Sequence, residues 1–243
     1  LAIWILLTAF LLFGEKADYT YSERRPLAQM PEITAKSIFS GKFMPDFEDF
    51  TLDQFPLRDS FRQVKSLFHY YVLNQSDNNG IYLVEDTVAK LEYPLNSSSV
   101  GYATGRIQHL YNTWLQDTNC KVYAAMVPDK GYYLAESNGY PAMDYEKLET
   151  MFREALPWAD HVVLTDLLSA EDYYRTDSHW SQDKILDVAD RLATAMGVRD
   201  QMSFSFEEKE LSPFYGVYRG QSALALKPDV IKYLTNDVID SAT

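Results

Sequence analysis

The sequence predicts an α/β sandwich with a central, mostly parallel sheet. Two observations carry this reading. Beyond residue 100, helical apolar stripes alternate with short apolar runs closed by turn residues, in the order helix, strand, helix, strand, helix. That order is the one that lays helices over a parallel sheet. The 243 residues are also 47% hydrophobic, enough for one large domain, or one domain with a small addition. Sites in such sheets form beyond the carboxyl ends of the strands.

Taken in order, residues 1–13 are almost wholly apolar and carry no polar face. They read as the trailing part of a signal peptide or as a single membrane anchor, giving a first segment of 1–14. The uncleaved anchor is preferred, since Gly14-Glu15-Lys16-Ala17 matches a cleavage site poorly. The competing reading is a buried core helix. Residues 15–58 form a lead-in and a first helical block. Phe43, Phe47 and Phe50 have helical spacing there, and Asp46 follows Pro45 as a start signal. Residues 59–243 form the α/β domain. Its first helix, 59–74, places Phe61, Val64, Leu67, Phe68 and Tyr71 on one stripe. A turn at Asp77-Asn78-Asn79-Gly80 leads into a hairpin of 81–84 and 88–91. A helix over 102–116 turns Ile107, Leu110, Tyr111, Trp114 and Leu115 inward. A strand at 122–127 ends in Pro128-Asp129-Lys130. Asp144 caps a helix reaching about residue 156. A strand at 161–164 follows, and a last helix starts near Ser181 and stops at Gly197. From residue 200 the pattern is irregular, with a β-like 202–206 and an acidic 207–210.

The stretch Tyr173-Tyr174-Arg175-Thr176-Asp177-Ser178-His179-Trp180-Ser181 holds the chemistry. In extended chain, residues i and i+2 share a face, so Asp177 and His179 lie together and Ser178 points away. A carboxylate beside an imidazole fixes its tautomer and stabilises the imidazolium, which suits a general base. Taken alone, Asp-x-His also fits an ordinary helix-entry loop. Trp180 is placed to wall the site and Ser181 to cap the next helix. Lys130 and Arg175 read in two ways: as groups holding a carboxylate or part of a sugar, or as a solvated strand-end lysine and an arginine paired with a local aspartate.

Composition narrows the partners. A net charge of −13 argues against nucleic acid and against a basic membrane-docking surface. Cys120 is the single cysteine, which excludes an internal disulfide; it reads as a buried or half-buried strand-edge residue. His69, His109 and His161 have no metal-ligand spacing, and a metal site needs three or four ligands.

The block Tyr-Arg-Thr-Asp-Ser-His-Trp-Ser resembles the signature of the DHHW proteins and of the related, SGNH-hydrolase-like alginate O-acetylation proteins. Ser22-Glu23-Arg24-Arg25-Pro26-Leu27, Gly41-Lys42-Phe43, Asp53-Gln54-Phe55-Pro56-Leu57-Arg58-Asp59, Asn79-Gly80-Ile81-Tyr82 and Val127-Pro128-Asp129-Lys130 extend the resemblance over nearly the whole chain after residue 14. Ser178 replaces the second residue of the eponymous motif. The resemblance implies an SGNH-like sandwich and a Ser-His-Asp mechanism, with His179 as base and Asp177 as its orienting carboxylate. It also implies an extracytoplasmic protein, secreted or anchored, needing no metal or dissociable cofactor. The substrate would be an envelope or exopolysaccharide, and the partner a membrane-bound O-acyltransferase. In that pattern Phe214-Tyr215-Gly216 and Pro228-Asp229 precede a Gly-Asp-Ser-type serine turn. No Gly-Asp-Ser occurs here. Ser222 and Ser241 are the nearest candidates, and the chain reads as truncated at its C-terminal side. The expected function is O-acetyl transfer or acyl-ester hydrolysis; the alternative is a non-catalytic, glycan-binding protein of the same fold.

Overall fold

Helices and short strands alternate along the computed structural model, which describes residues 1–202 and 205–241. The β-like stretch expected at 202–206 falls partly on Ser203 and Phe204, outside the described residues. The chain divides into two compact units, Leu1–Asn79 with Arg219–Leu226, and Gly80–Tyr218 with Lys227–Thr243.

In the first unit the apolar helix Ala2–Phe13 buries none of its residues. Phe43–Asp53 forms a helix in which Phe47 stacks near Phe43 and Phe50, and Phe50 is the buried member. The next helix, Arg58–Leu67, continues as a π-helical turn over Phe68–Val72. Its apolar stripe faces outward: Phe61, Val64, Leu67, Phe68 and Tyr71 are all 48% exposed or more. The face at Arg58, Arg62 and Ser66 turns inward instead, at the i, i+4, i+8 spacing of one helix side. The cause is ionic. Glu23 accepts from Arg58 at 2.6 Å and lies 3.1 Å from Arg62, and Arg62 also donates to the Gly220 carbonyl.

Asp53 completes this cluster. It takes a bidentate pair of hydrogen bonds from Arg25 at 2.5 and 2.7 Å and a third from the Ala28 amide. Gln54 ties down the lead-in through both Ala17 backbone groups and the Ala28 carbonyl. The two sequence blocks around Glu23 and Asp53 therefore serve as a clamp on the lead-in. The Arg25 hydrogen bond holds the Asp53 carboxyl below the usual carboxylate range, against the upward pull of burial. A depressed folded pKa gives stability that is present above the unfolded carboxylate range, about pH 4, and lost as pH falls through the folded value. In urea midpoints measured from about pH 2 to about pH 7, the deficit of Asp53→Asn is expected to be largest near neutrality and to close in acid. A gap that does not change with pH would show that the Asp53 charge contributes nothing.

In the second unit Ile81–Val84 and Thr87–Lys90 form an antiparallel hairpin, with Ile81 opposite Lys90 and Val84 opposite Thr87. The tight turn requires a positive φ, which Glu85 adopts at 54°. Both faces of the hairpin are covered, since the neighbours Ile81 and Tyr82 and the neighbours Val88 and Ala89 are all buried, and Tyr82 stacks on Tyr140 at 4.2 Å. Ser97–Leu110 is a helix running on as a π-helical turn to Leu115. Its expected inward face is only partly used. Tyr111 stacks on Trp158 at 3.8 Å, whereas Ile107, Leu110 and Trp114 stay exposed, and Thr104 is the buried side chain. Asp144 caps Tyr145–Ala155 through the Lys147 amide, as expected.

Among the described residues the fold is mixed α/β with small sheets of two or three strands, and a central, mostly parallel sheet is not clearly shown. Parallel pairing joins Tyr123–Ala125 to Asp160–Val162, in the register Tyr123 to Asp160. These strands are three residues long. Pro128, shortly after the first, lacks the N–H that would continue a ladder. Cys120 precedes this strand and is exposed, not packed at its edge. The expected irregular tail instead contains an antiparallel ribbon of Glu207–Phe214 with Asp229–Thr235. The last predicted helix begins later than Ser181: a 3₁₀ turn covers Gln182–Lys184, and the α-helix is Leu186–Ala195.

Candidate active site

The stretch from Tyr173 to Trp180 closes on itself. Tyr173 and Trp180 form an antiparallel bridge, and the Tyr174 amide donates to the His179 carbonyl at 3.0 Å. At the tip the chain turns the Asp177 side chain inward, where it is 1% exposed, and leaves the His179 side chain 77% exposed. One carboxylate oxygen, Oδ1, lies 2.6 Å from His179 Nδ1 and also accepts the His179 amide at 3.1 Å. The other, Oδ2, accepts the Val217 amide at 2.8 Å. An ionised carboxylate only accepts, so the geometry assigns the ring proton to Nδ1 and leaves the lone pair on Nε2. Burial pushes the Asp177 carboxyl up. The His179 hydrogen bond and the two backbone amides outweigh it and hold the group below the usual carboxylate range.

The loop is braced from residues that follow it by some 40 to 50 positions. Asp229, itself buried, accepts from the Thr176 amide at 2.8 Å and the Thr176 hydroxyl at 2.6 Å through Oδ2. Its Oδ1 accepts the Arg175 amide and Nε. Thr176 in turn accepts the Gly216 amide at 3.0 Å. A side chain at 216 would put its Cβ 2.1 Å from the Thr176 carbonyl oxygen, so close backbone approach requires glycine there. Burial pushes the Tyr218 hydroxyl up to about 12. Ser178 Oγ sits 3.4 Å from His179 Nδ1, so this serine does not simply point away.

The other expected site residues go elsewhere. Lys130, read as a group for substrate, is 2% exposed, with its ammonium on the carbonyls of Val88, Tyr174 and Arg175. No donor is left to reach a ligand, which corrects that reading. Arg175 pairs with Asp229 and Asp86, both distant in sequence, and donates to the Pro228 carbonyl. Trp180 is half-buried against Leu164, Leu168 and Val188. Ser181 donates to Asp183 and caps no α-helix. Pro128–Lys130 and the Tyr173 loop do meet, as the strand-end argument requires: the Tyr173 hydroxyl donates to the Pro128 carbonyl. Ser222 is fully buried, its hydroxyl donating to the Arg219 carbonyl and accepting the Leu224 amide. Ser241 donates to the Val238 carbonyl. Among the described residues no group of three or more His, Cys, Asp or Glu side chains is placed to hold a metal ion.

Sequence reasoning missed Asp229, Thr176 and the Gly216-Val217 amides as partners of the pair. The glycine in Phe214-Tyr215-Gly216 was the one available signal, since an isolated glycine marks close approach.

No protein-family model matches the sequence, and no curated protein matches it. Solved structures do. A DHHW family protein from Eubacterium siraeum aligns with 66% of this chain at 17% identity and a TM-score of 0.52. The O-acetyltransferase domain of Pseudomonas putida AlgJ aligns with 64% of the chain at 18% identity and TM-score 0.48, and Bacillus cereus PatB1 with 65% at 16% and 0.49. The matched part spans 56%, 64% and 59% of those chains. The chain thus has a fold similar to that of the DHHW family protein.

Proposed function

We propose that this chain supplies the base and the orienting acid of an SGNH-like O-acetyltransferase or acyl esterase. The carrying observation is a buried carboxylate 2.6 Å from Nδ1 of an exposed imidazole, with its second oxygen fixed by a backbone amide. In this reading a serine hydroxyl attacks the acyl donor's carbonyl while Nε2 of His179 takes its proton. The tetrahedral adduct collapses to an acyl-serine, and His179 returns the proton to the departing oxygen. A sugar hydroxyl or water then gives its proton to His179 and attacks the acyl carbon, and His179 returns that proton to the serine oxygen as the acyl–serine bond breaks. Asp177 stabilises the imidazolium throughout without becoming protonated. The acceptor class is an envelope or exopolysaccharide, and the acyl donor is delivered by a membrane-bound acyltransferase.

The nucleophile is assigned to a serine outside these 243 residues. The burial of Ser222 supports that assignment. In protein that carries the nucleophile, Ser222→Ala is expected to cost about 1 kcal/mol of stability through its lost hydrogen bonds and to leave acyl turnover unchanged. Turnover of an aryl acetate ester, set beside urea unfolding, checks both. Loss of activity without loss of fold would make Ser222 the nucleophile and overturn the assignment.

The domain reading, a partial signal peptide or anchor at 1–14, a lead-in and first helical block at 15–58 and an SGNH-like α/β domain at 59–243, belongs to the same proposal, as does an extracytoplasmic location. The apolar, unburied helix Ala2–Phe13 supports a membrane-directed leader. It has 12 residues, about 18 Å, and no helix among the described residues is long and apolar enough to cross a membrane.

A further inference from the structure

We propose that Lys130 is a positioning residue for the Asp177–His179 pair: its buried ammonium gathers the carbonyls of Val88, Tyr174 and Arg175 and so fixes the loop that presents Asp177 to the imidazole. The purpose assigned to the pair rests on the acyl-transfer reading above; the geometry of the contact does not.

A lysine at a strand end is ordinarily solvated, and a buried ammonium is costly unless every donor is satisfied and its charge is offset. Both conditions hold here. The three protons of Lys130 have three carbonyl acceptors, at 3.0 Å for Tyr174, 3.2 Å for Arg175 and shorter for Val88. The Arg175 carbonyl also accepts the Val88 amide at 2.9 Å, so the hairpin strand and the loop share one acceptor. The groups facing the ammonium are the carboxylates of Asp177 and Asp229 and the ring of Tyr218, whose centroid is 5.4 Å away. The neighbouring Asp129 is turned away, toward the Tyr145 hydroxyl and the Gly131 amide. Lys130 thus pins the two residues just before Thr176 from one side, while Asp229 pins Arg175 and Thr176 from the other. These two grips hold the backbone that leads into Asp177.

The arrangement is tunable by pH. Burial pushes the Lys130 ammonium down to about 8, against the upward pull of Asp229 and Asp177. Above that pH the folded protein loses the third donor and the positive charge.

Lys130→Met keeps the length of the side chain and removes its donors. The readout is the downfield imidazole N–H signal of His179, which requires a proton held between Nδ1 and Asp177. The variant is expected to unfold cooperatively yet lose that signal, and, in protein carrying the nucleophile, to lose at least tenfold in kcat with KM for an aryl acetate unchanged. A folded variant that keeps the signal overturns the proposal. Should the variant not fold, the native protein decides. As pH rises through the titration of the Lys130 ε-methylene, the backbone amide signals of Arg175, Thr176 and Asp177 are expected to move with the same midpoint. Amides that stay still through that titration, or move without it, overturn the proposal. If the signals behave as expected but the nucleophile-bearing protein is inert, the acyl-transfer reading fails and the positioning role stands.

Discussion

Acyl turnover falls by at least about a thousandfold when His179 is replaced by alanine in protein that carries the nucleophile. The loss appears in kcat and kcat/KM alike, because the imidazole acts on a proton in flight and adds little to ground-state binding. The fold is expected to survive, since the side chain is 77% exposed and its contact is with Asp177 at the loop tip. Asp177→Asn is expected to lose up to about ten-thousandfold, because an amide facing Nδ1 permits the wrong ring tautomer. The Asp177 carboxyl is held below the usual carboxylate range, so its hold on the imidazole persists above that range and fails only as pH falls through the lowered value. Rates measured against pH for native protein and for both variants test this. A His179→Ala protein with near-native turnover would remove the base from the mechanism.

Removing Asp229 has the largest expected effect on stability. Asp229→Ala leaves the Thr176 amide and hydroxyl and the Arg175 amide without their acceptor, and takes one counter-charge from Lys130. Breaking one side of a buried charged network costs about 3–5 kcal/mol. Most of it falls on the Thr176 contacts, because Arg175 is 37% exposed and keeps Asp86. Urea unfolding should show this loss with an unchanged slope. A cost under about 1 kcal/mol would mean that the loop holds itself and that Asp229 is incidental.

Much of the second unit was legible in the sequence for local reasons. The 81–90 hairpin follows from two short apolar runs around a turn, the 145–155 helix from its Asp144 cap, and the Asp177–His179 pair from an i, i+2 spacing. What failed had non-local causes. Lys130 sits where a lysine is usually solvated, and only a loop more than forty positions later makes its burial possible. Asp229 and the Gly216-Val217 amides reach the site from the far end of the chain, with no local mark beyond one glycine. The stripe from Phe61 to Tyr71 faces outward because Glu23 draws the opposite, arginine-bearing face inward. The ribbon of 207–214 with 229–235 escaped because its first strand reads as an acidic run and carries little buried apolar surface.

The central claim is that Asp177 and His179 serve a nucleophile which these 243 residues do not contain. Intact-mass and peptide mapping after incubation with an aryl acetate test it directly, on this chain and on any longer protein that contains it. The account predicts one acetyl group on a serine outside residues 1–243 of the longer protein, none on this chain, and none on either after His179→Ala. An acetyl group on Ser222, Ser241 or another residue of this chain, dependent on His179, would contradict it, as would a longer protein that is never acetylated.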